Sequence, residues 1–331
     1  MGLVLASLVA ALWVRKVSWI KVLALALIAI AVLNIISAQQ SQYVGFLLVR
    51  FLAGFAEGSV FALTVAALGD NKHPDRAFGI AQVVQGAMMF FAFAGAAYIL
   101  AEWSVSGLFY MLAGAATLML LALWRYPSEG AQRVPGSSAG TGAPNYTGLI
   151  WIGLIASFLF FVSIFGFWAY IERMGQATGL SIETIGLALG VSQFAAIVGA
   201  GAAAIASNRY GRTIPLTLAL VGQLLVLWLL VGQFTPLTFY LGAGLFQGLF
   251  VMANSYQLGV IAKIDFRGNF LVLVTGFQGL GAAVGPGIAA GLIVAGDYSR
   301  INQMAAVFCL ISILMFFFII HRTRHLRSPL V

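Results

Sequence analysis

The stretch Arg50–Gly69, RFLAGFAEGSVFALTVAALG, decides the fold. It is apolar and reaches the ~20 residues that cross a bilayer as a helix. It nevertheless carries Arg50 and Glu57, and Glu57 is the one carboxylate well inside a membrane-length apolar run of this sequence. An ionisable side chain in hydrocarbon costs about 3 kcal/mol or more, so it is retained where it has work to do. At helical spacing Arg50, Gly54, Glu57, Phe61 and Thr64 share one face. Arg50 and Glu57 stand about 10 Å apart along the axis, so a tight pair needs bent side chains or a bridging water.

The composition around this run excludes a soluble domain. Hydrophobic residues make up 62% of the chain and charged residues 8%, against roughly 25% charged in soluble proteins. Mean hydropathy is +1.02. The class is an all-α polytopic membrane protein, because in lipid a helix satisfies its own backbone hydrogen bonds. The lone Cys309 has no intrachain partner, and the three histidines fall in loops or the tail. No Cys/His cluster suggests a metal. No glycine-rich phosphate loop suggests ATP. No acid, base and nucleophile gather at one depth, so an enzyme is not indicated and no cofactor is expected.

Eleven apolar segments are expected, at about 1–14, 17–38, 43–69, 77–100, 105–124, 148–171, 182–206, 213–233, 236–261, 269–296 and 300–320. The connections are short except for 125–147, which contains Pro127, Pro135 and Pro144 with four glycines between them. Such a composition buries no core and reads as a linker. It divides the chain into a bundle at 1–124 and a second bundle with a basic tail at 148–331.

Numbering the loops sorts the basic residues. Fourteen of the 17 Lys and Arg fall on one side, Arg173 and Arg300 fall on the other, and Arg50 lies within a span. By the positive-inside rule the crowded side is cytoplasmic. The net charge of +8 is therefore a topology signal and does not point to nucleic acid. A multi-pass protein of the inner (cytoplasmic) membrane is expected, with its C-terminus in the cytoplasm. The first segment is short for a span, so the chain is expected to start late, without one helix and part of the next.

The sequence also repeats. Ala53–Gly58 (AGFAEG) aligns with Ala243–Gly248 (AGLFQG) at an offset of 190, and Thr64 and Gly69 align with Asn254 and Gly259. Gln85-Gly86 aligns with Gln278-Gly279 at an offset of 193. The third and fourth segments thus return as the ninth and tenth. A shift of six helices keeps their orientation, as in a parallel repeat of a six-helix unit.

On these features the chain resembles the major facilitator superfamily over essentially its whole length, with its segments standing as helices two to twelve of that family. Arg50-Phe-Leu-Ala-Gly54-Phe-Ala-Glu-Gly58 resembles the fourth-helix motif. Asn208-Arg209-Tyr210-Gly211-Arg212 resembles the loop signature between helices eight and nine. Gly281-Ala-Ala-Val-Gly285-Pro286-Gly287 resembles the Gly-rich motif of the eleventh helix. The resemblance implies two pseudo-symmetric bundles and secondary active transport of a small molecule by alternating access, with the proton as the coupling ion. Two departures stand out. The acid that opens the family's loop signature is replaced by Asn208, and the matching loop Trp13–Ser18 has no acid either, which puts charge-based latching of the cytoplasmic gate in doubt. The antiporter-type Gly-Pro of the fifth helix is absent, since Ala92-Phe93 stands there. The alternative reading is a non-transporting descendant of the fold, receptor-like or structural, or an inactive truncated transporter.

The candidate residues follow. Glu57 is the proton-coupling candidate and Arg50 its tuning partner, because a nearby cation lowers a carboxyl's affinity for protons and burial raises it. Their repeat mates Tyr240 and Gln247, with Asn254 opposite Thr64, make a polar but neutral face. Gln247, Asn254, Gln85 and Gln278 are candidates for the substrate cavity. Interhelical hydrogen bonding explains such amides equally well. The sixth segment carries Phe161, Phe165, Trp168 and Glu172 on one stripe, with Trp168 as a cavity candidate and an interface anchor as the plainer reading. Asp70, Lys72, Asp75 and Arg76 read as a solvated loop. Asp70, Arg76, Arg209 and Arg212 are the candidates for a cytoplasmic gate.

Overall fold

In the computed structural model the quoted run becomes α3 (Tyr43–Gly69), a 27-residue helix about 40 Å long. The structure describes residues 1–129, 146–206, 212–232, 235–266, 268–294 and 296–324. Most of the expected linker and Asn208–Gly211 of the loop signature, Arg209 included, lie outside the described residues. Before α3 come α1 (Gly2–Trp13) and α2 (Trp19–Gln39). After it come α4 (Pro74–Ala122), α5 (Thr147–Trp168), α6 (Ile171–Ala177), α7 (Ile182–Ala206), α8 (Thr213–Leu229), α9 (Pro236–Ile264), α10 (Leu273–Ala290) and α11 (Ser299–Arg322). No strand occurs among the described residues apart from one isolated bridge between Val294 and Asp297.

The expected segments return as helices, with informative differences. Segments 77–100 and 105–124 stand as two helices of α4 that meet at a kink at Ser104 (φ 59°, ψ −167°). Ser104 is the one non-glycine residue with positive φ among those described, and it supplies the change of direction that no glycine or proline announces. The expected 148–171 runs on through a turn at Ala169–Tyr170 into α6. Among the described residues, eight helices are long and apolar enough to cross a membrane, and α1 and α8 are shorter apolar helices. At 12 residues α1 spans about 18 Å, short of a ~30 Å hydrocarbon core. Thr235 caps α9 through a reciprocal box with Thr238, and Pro236 takes the first helical position, where its missing N–H leaves nothing unsatisfied.

Two compact units emerge from the packing. The first comprises residues 1–70, 88–144 and 266–276. Within it α1 and α2 both pack on α3. Lipid gives helices no hydrophobic reason to associate, so close approach by small residues supplies the attraction. Gly58 is such a point: a Cβ there would sit 2.8 Å from Leu3 Cα and Ala6 Cβ. Trp19 is buried in a cluster with Ala10, Val14, Leu63 and Val272, and its indole N–H donates to the Val14 carbonyl at 2.6 Å. Ser7 ties α1 to the start of α10, donating to the Val272 carbonyl at 2.6 Å and accepting from the Gly276 N–H at 2.9 Å.

The second unit comprises 71–87, 145–265 and 277–331. Here α7 and α8 pack on α9, and α11 packs on α5 and α8. The Gly-rich motif of α10 lies against α5, where a Cβ on Gly281 would be 2.5 Å from the Phe158 carbonyl and one on Gly285 2.7 Å from the Val162 carbonyl. Each unit therefore takes one short segment from the other half of the chain. At the offset of 193 that relates Gln85 to Gln278, segment 71–87 overlies segment 266–276, so this exchange follows the internal repeat.

Candidate functional site

Helix α3 places Arg50 and Glu57 two turns apart on one face, and the long arginine side chain closes the gap. Its Nη2 reaches Glu57 Oε1 at 3.4 Å, a loose contact. The guanidinium is fixed elsewhere: Nη1 donates to Asn34 Oδ1 of α2 at 3.0 Å, and the group lies over the Phe109 ring of α4 with 5.4 Å to its centroid. The side chains are 27% and 42% exposed respectively. A partly exposed pair of this kind contributes about 0.2–1 kcal/mol, so Glu57 is held weakly and stays open to a second partner. Thr64, on the same face, spends its hydroxyl on the Val60 carbonyl at 2.9 Å.

The neutral candidates divide. Gln278 Nε2 donates to Asn254 Oδ1 at 2.8 Å, and both side chains are buried. Gln247 is half-buried and Gln85 exposed. Trp168 stacks on Phe246 of α9, with centroids 5.6 Å apart and planes within 14°. Phe161 and Phe165 both meet Phe250, at 5.6 Å and 6.1 Å. Glu172, at the end of that stripe, is exposed and accepts from Gln176 at 3.1 Å. The α9 half of this aromatic wall, Phe246 and Phe250, was not singled out from sequence, although its spacing of four places both rings on one face. Ser157 and Gln257 were also passed over. Both are fully buried, and their side-chain polar atoms have no hydrogen-bond partner among the described residues.

Two ion-pair grips form at helix ends, one within each compact unit, and they correct the reading of Asp70–Arg76 as a solvated loop. Arg15 grips Asp70 with two hydrogen bonds, at 2.6 and 2.8 Å, and donates to the Gly268 carbonyl at 3.2 Å. Arg212 grips Asp75 through Nε, 2.9 Å from both carboxylate oxygens, and through Nη2 at 2.9 Å. The Asp75 side chain is fully buried. Burial pushes its carboxyl above the usual aspartate range against the pull of Arg212 and Lys263. Arg76 and Lys72 are exposed and take no part in either grip. The missing loop acids therefore do not remove charge pairing: Asp70, just after α3, and Asp75, in the first turn of α4, supply the carboxylates instead.

The comparisons with known proteins agree with one another. A model of the Major Facilitator Superfamily matches residues 1–231 and again 153–330. No curated protein sequence matches. Among solved structures, an MFS transporter, FucP, in its outward conformation superposes with a TM-score of 0.75 at 12% identity, covering 95% of this chain and 86% of that one. The human organic anion transporter MFSD10 (TETRAN) gives 0.75 at 17% identity, covering 96% and 80%. The proton:xylose symporter XylE bound to 6-bromo-6-deoxy-D-glucose gives 0.72 at 13% identity, covering 96% and 83%. At such identities the likeness is one of fold. The family match spans both halves of the sequence, and with it the chain belongs to the Major Facilitator Superfamily.

Proposed function

We propose that the protein is a proton-coupled secondary transporter that carries a small molecule across the cytoplasmic membrane by alternating access, with its C-terminus in the cytoplasm. The observation that carries this reading is Glu57: a carboxylate inside a transmembrane helix, partly exposed and held by one loose arginine contact. Such a group can take a proton on one side and lose it on the other as the cavity around it changes sides. Arg50, anchored by Asn34 and Phe109, stays in place as the cation beside Glu57. FucP and XylE are described as proton symporters, which makes the proton the first coupling ion to test. The bundles 1–124 and 148–331 would rock about a midplane site, with Asn254, Gln278, Gln247 and Trp168 on its second-half wall and Gln85 a further candidate. The Arg15–Asp70 and Arg212–Asp75 grips would close the cytoplasmic end. Arg209 remains a gate candidate from sequence alone.

The test is a pH-sensitive dye trapped in proteoliposomes containing the full chain. Fucose, xylose and a set of organic anions are added in turn, with empty liposomes as control. A transported, proton-coupled substrate changes the internal pH on addition, and the change disappears when a protonophore is present. Uptake of a labelled compound with no accompanying proton movement would keep transport and remove the coupling.

A further inference from the structure

Of the three carboxylates Asp75, Asp70 and Glu57, each met by an arginine, Asp75 has the most enclosed side chain, 0% exposed against 6% for Asp70 and 42% for Glu57. It sits in the first turn of α4, ahead of the apolar part of that helix. Its Oδ1 rests on the Cα of Gly259 so closely that a side chain at 259 would overlap it, which leaves that flank no room for water. One guanidinium, from Arg212 before α8, supplies the side-chain hydrogen bonds it receives. The other groups facing it come from α9: the Lys263 ammonium, which donates to the Thr323 carbonyl at 3.4 Å, and the buried Tyr256. On its own helix Arg76 is exposed. Three segments distant in sequence thus meet on one buried acid whose charge, among the described residues, Arg212 and Lys263 offset.

Building on the transport reading above, we propose that Asp75 is a second proton-binding site of the protein, which binds a proton more tightly while packed on Gly259 than when the start of α4 parts from α8 and α9 and the carboxyl meets water. The sign follows from burial. The enclosed carboxyl binds a proton more tightly than a hydrated one. By linkage, acid therefore favours the packed arrangement and rising pH favours its release. The site differs from Glu57 in position and in logic: Glu57 is partly exposed within the span, whereas Asp75 titrates by being uncovered.

Two readouts on the full chain in lipid vesicles test this, and neither requires a transported substrate. Infrared titration should show a protonated-carboxyl band that fades as pH rises above the ordinary aspartate range, is lost in Asp75→Asn and is kept in Glu57→Gln. Spin labels on Lys72→Cys and Thr213→Cys, two exposed positions flanking the grip, should move apart as pH rises. In Asp75→Asn, which mimics the protonated acid, they should stay at the short distance at every pH. Should Asp75→Asn not fold, Arg212→Gln serves in its place: removing the cation should move the band's midpoint up by about 1–3 pH units. A band unchanged by Asp75→Asn, a midpoint unmoved by Arg212→Gln, or a label distance with the same pH response in Asp75→Asn overturns the proposal. Loss of transport with both signatures intact strikes the transport reading and leaves this one standing.

Discussion

Substituting Gly259 by alanine perturbs the Asp75 grip without replacing either charged partner. The added methyl would overlap Asp75 Oδ1 and lie 2.7 Å from its Cγ. The carboxylate cannot simply step aside, because Arg212 holds both oxygens at 2.9 Å. Overpacking of this kind costs about 1–3 kcal/mol, or roughly 5–150-fold in a two-state population. A competing term is the helix propensity that alanine gains over glycine, about 1 kcal/mol. That gain accrues wherever α9 is helical, packed or released, so it cancels from the conformational equilibrium and appears only in global stability. Gly259→Ala should therefore leave thermal stability within a few degrees of the parent while shifting the Lys72–Thr213 label distance toward the long population by at least fivefold. Asp75→Ala should abolish the shift by removing the atoms that collide. A distance distribution unchanged by Gly259→Ala, or one that shifts equally in the presence of Asp75→Ala, would refute the steric argument.

Three further outcomes follow. Arg15→Ala removes both hydrogen bonds from the Arg15 guanidinium to Asp70, 6% exposed, and should cost about 1.5–3 kcal/mol in detergent unfolding, the range for hydrogen bonds to a charged group, with Arg15→Lys recovering only part. Asn254→Ala strands the Gln278 amide and should cost about 0.6–1.7 kcal/mol; if the pair also touches substrate, apparent affinity in the uptake assay should fall more than stability does. Because the Asp75 carboxyl is raised above its unfolded value of 3.8, its contribution is fully present below that value and is lost as pH rises through the folded one. Thermal stability should then decline from acid toward neutral pH with a component absent in Asp75→Asn, read by a thermal-shift titration.

The helical architecture was legible because bilayer solvation forces it: long apolar runs, a proline- and glycine-rich break and one-sided positive charge leave few other folds. The spaced glycines of α3 were legible as a motif, but only the structure shows that Gly58 meets Leu3 and Ala6. The Arg50–Glu57 face could be read from helical spacing. Whether the two would touch depended on an arginine side chain long enough to span two turns, and it reaches 3.4 Å. The grips at the helix ends were not legible. Arg15 meets Asp70 across 55 residues and Arg212 meets Asp75 across 137, and nothing local distinguishes an acid that will be covered by distant segments from one left in water. The same holds for Ser157 and Gln257, ordinary polar residues in apolar runs until neighbours enclose them. The bend at Ser104 falls in the expected break between segments 77–100 and 105–124, but its backbone geometry was not legible: the positive φ occurs at a serine, where sequence reasoning looks for glycine.

The central claim is that Glu57 carries the coupling proton, and substrate-driven proton movement into proteoliposomes, measured side by side for the parent chain and Glu57→Gln, tests it most directly. The account predicts proton uptake with substrate in the parent, and in Glu57→Gln no proton uptake while exchange of labelled for unlabelled substrate continues. Equal proton uptake by both proteins would contradict it.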